Sequence, residues 1–294
     1  RIRITNTRQV ACAGGGAGGG GGAGTGSGST GNYVPPGGGS NNGGGSNSGG
    51  DSGMTSPNPS PVVTQPVVVT TIDNCTSLKK LTLKDTLGPD IKTQVDWLKT
   101  KLDEKKEYGV EIEKGIGFDG NTKYTSTQKF SQLSFEVPLT IGRKYMCWMH
   151  THPYKISYPM FSFLDLKFLS EGYNSAGDDK KQEIVTIMVC KNSAGQIQTY
   201  ALKVANPDLL ASQVNAVWNS SDLSGKSEKD KIDLINYPIA KKYRDSDNLE
   251  KSFLEQFAVY GISLYKANAD LSVWTNLSLK TKNGVTTVEP VPCK

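Results

Sequence analysis

The chain has 294 residues and a formal net charge of +5, from 33 Lys and Arg against 28 Asp and Glu. Both signs are intermixed without a dense basic stripe, which argues against a nucleic-acid binder. No apolar run reaches the ~18 residues needed to span a membrane. Five cysteines without a CxxC spacing argue against a structural zinc cluster.

The chain opens on Arg1 rather than methionine, and residues 1–13 read as the tail of an upstream region. Residues 14–53 hold 21 of the 33 glycines, among Ser, Asn and Ala. Such a stretch cannot bury enough apolar surface to offset chain entropy, so a disordered linker is expected over 14–74. Its last part, with Pro57, Pro59, Pro61 and Pro66, should be stiffer and more extended. Residues 75–294 then suffice for one well-buried core, carrying +4 of the net charge. Cys75 and Cys293 flank this domain and would close it by a disulfide in an oxidising compartment. That pairing and the long tether favour a secreted or cell-envelope protein.

Pro89-Asp90 opens a helix with Ile91, Val95, Leu98 and Leu102 as its apolar stripe. A strand follows from Tyr108, with Tyr108, Val110 and Ile112 on one face and Glu107, Gly109 and Glu111 on the other. Asp119-Gly120-Asn121 marks a turn, and the segment from Lys123 to Thr127 is its hairpin partner. Tyr145 to Met149 is a mostly apolar strand, and Leu164, Leu166, Phe168 and Leu169 predict a short helix ending at Gly172. Glu183 to Lys191 and Gln196 to Val204 read as strands joined through Ser193-Ala194-Gly195. Residues 207–218 and 247–260 read as helices, with an exposed loop over 220–230 between them and a solvated basic face at 241–244. Short strand-like runs at Ile262 to Tyr265 and Leu277 to Leu279, with a turn at Asn283-Gly284, complete the chain. Residues 205–294 either finish the domain or form an extension to it.

The chemistry concentrates at the mouth of the 145–149 strand. The chain's two histidines, His150 and His152, lie two apart, so on an extended strand both imidazoles can turn toward one ion. Asp165, just inside the next helix, is the third ligand candidate. Two nitrogens and a carboxylate leave a tetrahedral position open, as in catalytic zinc, and a nearby carboxylate is needed to move the proton of an activated water. Ser162-x-x-Asp165 is also a helix capping box in its own right. Cys147 and Cys190 read as buried thiols; Cys147 is no nucleophile partner of His150, because i and i+3 on a strand face opposite ways.

His150-Thr151-His152-Pro153, Ser162-x-x-Asp165 and an upstream glutamate together resemble the JAMM motif of the JAB/MPN metalloproteases. The likeness covers residues 90–170, and the segment between His152 and Ser162 is somewhat longer than is usual in the family. It implies an α/β fold, a curved mixed sheet flanked by helices, and a zinc-dependent hydrolase of peptide or isopeptide bonds acting on a protein or peptide. His150, His152 and Asp165 would then bind zinc, and Ser162 would support the oxyanion. The general base would be a glutamate opening a strand after a helix: Glu107 fits best, with Glu111 its rival on the same face and Glu113 third. Two other readings stay open, a metal-free binding or scaffolding module of the same fold and a structural tethered surface protein.

Overall fold

A computed structural model describes residues 74–82, 89–131, 137 and 139–293. The expected tail at 1–13 and the linker lie outside the described residues, except for Asn74, which opens the first helix rather than ending the linker.

The elements run α1 (Asn74–Thr82), α2 (Ile91–Lys99), β1 (Tyr108–Ile116), β2 (Thr122–Phe130), β3 (Tyr145–His152), α3 (Phe163–Ser175), β4 (Val185–Lys191) and β5 (Ile197–Val204). They continue through α4 (Pro207–Trp218), α5 (Glu228–Arg244), α6 (Leu249–Phe257), β6 (Ile262–Ala267), β7 (Trp274–Lys282) and β8 (Val285–Pro292). All eight strands form one sheet in the order β2-β1-β3-β4-β5-β6-β7-β8, so the protein is a mixed α/β structure. Among the described residues, only β3 and β4 pair in parallel, and the crossover between them carries α3. The last third of the chain continues this sheet, since β6 pairs directly with β5.

Each face of the sheet buries its own core. On one side α1 and α2 cover Val110, Ile112, Cys147, Met149, Ile187 and Trp274. On the other, α3 to α6 cover Trp148, Met188, Leu202 and Leu264. β3 is buried along its whole length because it lies between β1 and β4 with helices on both faces. Its alternation sends Cys147 and Met149 to one core and Trp148 and His150 to the other. Cys147 therefore faces away from the histidines, and burial raises its thiol far above the ordinary range.

Three readings of the sequence need correction. Gly172 does not end its helix: α3 continues to Ser175, and Gly172 is there because a Cβ would sit 2.3 Å from the Tyr145 ring. The loop expected at 220–230 holds a short 3-10 turn, Ser221–Leu223, and the start of α5. The 241–244 segment is only partly a solvated face, because Tyr243 is 3% exposed. Helix α5 escapes a periodicity reading because Pro238 sits inside it, lacking the N–H that a helix interior uses. Its signals are Ser227, whose side chain accepts from the Asp230 N–H, and the spacing of Ile232, Ile235 and Ile239.

The Cys75–Cys293 disulfide is formed, joining α1 to the residue after β8 across 218 positions. Lys203 adds a second anchor: its buried ammonium donates to Ser77 Oγ of α1 (3.0 Å) and to the Gln182 carbonyl (2.6 Å). Cross-linking a loop this long restricts the unfolded chain strongly. Cys293→Ser should therefore lower the unfolding free energy by about 2–5 kcal/mol in non-reducing urea titrations. Adding reductant should bring the unmodified chain to the same midpoint.

Candidate metal centre

His150 and His152 are held by the pairing of β3 with strands on both sides. His150 stands opposite Gly109 of β1 and Met188 of β4, and His152 opposite Cys190. Gly109 is required there: a Cβ would lie 2.1 Å from the Trp148 ring, which stacks at 5.9 Å on His150. The loop after Pro153 returns the Tyr158 carbonyl to within 2.6 Å of His152 Nδ1. A carbonyl only accepts, so His152 carries its proton on Nδ1 and presents a lone pair at Nε2.

Asp165 comes from the first turn of α3 and divides its two oxygens between two tasks. Oδ2 accepts from the Ser162 backbone N–H (2.7 Å) and hydroxyl (2.9 Å), capping the helix. Oδ1 turns inward to His150 Nε2 at 3.1 Å. Capping and ligand readings of Asp165 are thus compatible, one on each oxygen.

The two imidazole Nε2 atoms lie 3.2 Å apart, and the three donor atoms lie within 4.8 Å of one another. In a tetrahedral site with bonds of about 2.0–2.1 Å, neighbouring ligand atoms are separated by about 3.3–3.4 Å. Two nitrogen lone pairs and a carboxylate oxygen, all buried and converging at this spacing, form a group that can hold a metal ion. The titration behaviour fits such a donor set. Burial pushes His152 down to about 4, keeping it neutral as a ligand must be. Burial disfavours the charged ring of His150, but the Asp165 carboxylate outweighs it and raises its pKa. Burial likewise opposes ionisation of Asp165, yet His150 and the Ser162 N–H hold its carboxyl well below the usual range.

A cavity of about 240 Å³ opens onto this group and is lined by His152, Asp165, Ser162 and Glu107 together. Glu107 immediately precedes β1, and its carbonyl accepts from the Ser131 N–H at 3.0 Å. Continuing the β1–β3 register past Gly109 and His150 sets it across from His152. Burial raises its carboxyl to about 7. Glu111 faces the same side but lies opposite Trp148, and its Oε2 is held by Lys129 Nζ (2.6 Å) and the Thr140 N–H (2.8 Å). Glu113 stands beyond a register shift near the outer end of β1. The structure therefore brings Glu107 into the site and leaves both rivals outside it.

Ser162 lines the cavity with its hydroxyl directed to Asp165. Tyr243 of α5 is a site residue that the sequence reading missed. Its hydroxyl donates to the Phe161 carbonyl at 2.7 Å, bracing the turn that presents Ser162. Among the described residues, no helix is long and apolar enough to cross a membrane. Comparisons with protein-family models, curated proteins and solved structures find no match.

Proposed function

We propose that this chain is a zinc-dependent hydrolase of peptide or isopeptide bonds, of the JAB/MPN kind that its motif resembles. One observation carries the reading: His150 Nε2 lies 3.1 Å from Asp165 Oδ1 and 3.2 Å from His152 Nε2, beside a cavity that also holds a buried glutamate.

His150, His152 and Asp165 are the metal ligands. Zinc bound there would supply Lewis acidity for activating a water near neutral pH. The Glu107 carboxylate takes the proton from the attacking water and returns it to the leaving amine. Its place in the cavity with His152 and Asp165 lets it serve both halves of that transfer. Ser162, rotating its hydroxyl from Asp165 toward the cavity, donates to the oxyanion that develops on the substrate carbonyl. Tyr158 fixes the tautomer of His152 through its carbonyl, and Tyr243 holds the turn before Ser162. The disulfide supports an oxidising compartment, and hence a secreted or cell-envelope setting.

Metal analysis of the purified full chain tests the reading first. About one zinc per chain is expected, bound more weakly as pH falls because protons compete with the metal for the ligand atoms. A folded chain that takes up no zinc would favour a metal-free binding role instead.

A further inference from the structure

Beside the metal-ligand candidates, the cavity is lined by apolar side chains: Ile156, Met160, Leu164, Ile239 and Ala240. Among the described residues, no lysine or arginine lines it, and its acidic side chains are Glu107 and Asp165, which the proposed reaction already occupies. The outer wall belongs to α5, which turns Asn236, Ile239, Ala240 and Tyr243 toward the cavity at helical spacing. Among these, Asn236 Oδ1 is buried and accepts no hydrogen bond from the described residues. A buried acceptor left in this way takes its donor from an ordered water or from a ligand that displaces it.

Resting on the metallopeptidase reading above, we propose that α5 is the substrate-selecting wall of the site. The pocket of Ile156, Met160, Leu164, Ile239 and Ala240 receives an uncharged apolar side chain next to the scissile amide. Asn236 Oδ1 accepts a backbone N–H of the same peptide and sets its direction across the site. An acidic side chain in this pocket would meet neither lysine nor arginine among the described residues and would lose its hydration against apolar walls. A basic one would lose its hydration with no free anion to replace it. The substrate class is thus a peptide with a leucine-, methionine- or phenylalanine-like residue adjoining the cleaved bond.

Calorimetry on the zinc-loaded full chain tests this without relying on turnover. The probes are acetohydroxamate, which has no side chain, and N-acetylated amino-acid hydroxamates of leucine, phenylalanine, aspartate and lysine. The leucine and phenylalanine compounds should bind at least about tenfold more tightly than those of aspartate and lysine. Ala240→Phe, which fills the pocket, should erase that preference and leave acetohydroxamate binding and zinc content unchanged. Asn236→Leu should weaken all four amino-acid compounds by about tenfold, again sparing acetohydroxamate. Equal affinity across the four compounds in the unmodified chain overturns the proposal, whether or not either variant folds. So does a leucine preference that survives in folded Ala240→Phe. If acetohydroxamate itself fails to bind, or no zinc is taken up, the metallopeptidase reading falls and the selecting wall falls with it.

Discussion

Asp165→Ala should abolish metal uptake and cost about 3–5 kcal/mol of folding stability, because one carboxylate closes two buried accounts of charge and hydrogen bonding. Its Oδ2 holds the Ser162 N–H and hydroxyl at the start of α3, and its Oδ1 faces His150 Nε2 at 3.1 Å. Both side chains of that pair are essentially buried, at 0% and 1% exposure. Alanine strands the His150 ring without its counter-charge and leaves the first turn of α3 uncapped. Asp165→Asn separates the effects. Its amide oxygen can still accept from Ser162, so most of the capping energy should survive, while a neutral amide is a poor metal ligand and zinc should be lost. Urea titrations and metal analysis of the three chains decide the matter. A zinc content near one per chain in Asp165→Ala would remove Asp165 from the ligand set.

The double use of Asp165 explains how far the site could be read without coordinates. A serine three residues before an aspartate reads as a cap, and His-x-His before it reads as a metal pair; each is legible alone. That both hold together depends on which oxygen turns where, a matter of side-chain torsion that no spacing encodes. β3 was legible because a strand buried on both faces is a nearly continuous apolar run. β7 and β8 read only as a short run and a turn, because they are rich in Thr and Lys, and β8 carries Pro290 and Pro292. As the last strand of the sheet, β8 tolerates proline that a central strand would not. The choice between Glu107 and Glu111 rests on long-range partners. Lys129 and Thr140, far along the chain from Glu111, claim it for an ion pair and a backbone cap. The least legible element is α5, where a proline and alternating charges hide the wall of the cavity and the buried Tyr243.

Glu107→Gln should retain one metal per chain and lose about 10²–10⁴ in kcat/KM on any peptide the unmodified chain cleaves. Glu111→Gln should lose stability through its broken ion pair with Lys129 while keeping most of that activity. If Glu111→Gln is the inactive one, the proton carrier has been misassigned. Glu107 also leaves a signature that needs no substrate. In the metal-free fold its carboxyl lies at about 7 against an ordinary 4.5, chiefly through burial. The folded state thus binds this proton more tightly than the unfolded state does. Its stabilising contribution is complete below about pH 4.5 and is lost as pH rises through about 7, a change on the order of 3 kcal/mol. His152 acts in the opposite sense, since burial lowers it from 6.5 to about 4. Its contribution is present above about pH 6.5 and is lost as pH falls through about 4. The two slopes oppose each other in the unmodified chain, so its metal-free stability should vary little with pH from these groups between pH 4.5 and 6.5. Glutamine at 107 removes one slope and leaves the other. Stability of the variant relative to the unmodified chain should therefore climb by about 3 kcal/mol from pH 4.5 to 7.5 in chelator-treated samples. A difference that stays flat with pH would mean that Glu107 is solvated in the folded chain and that burial does not raise its carboxyl.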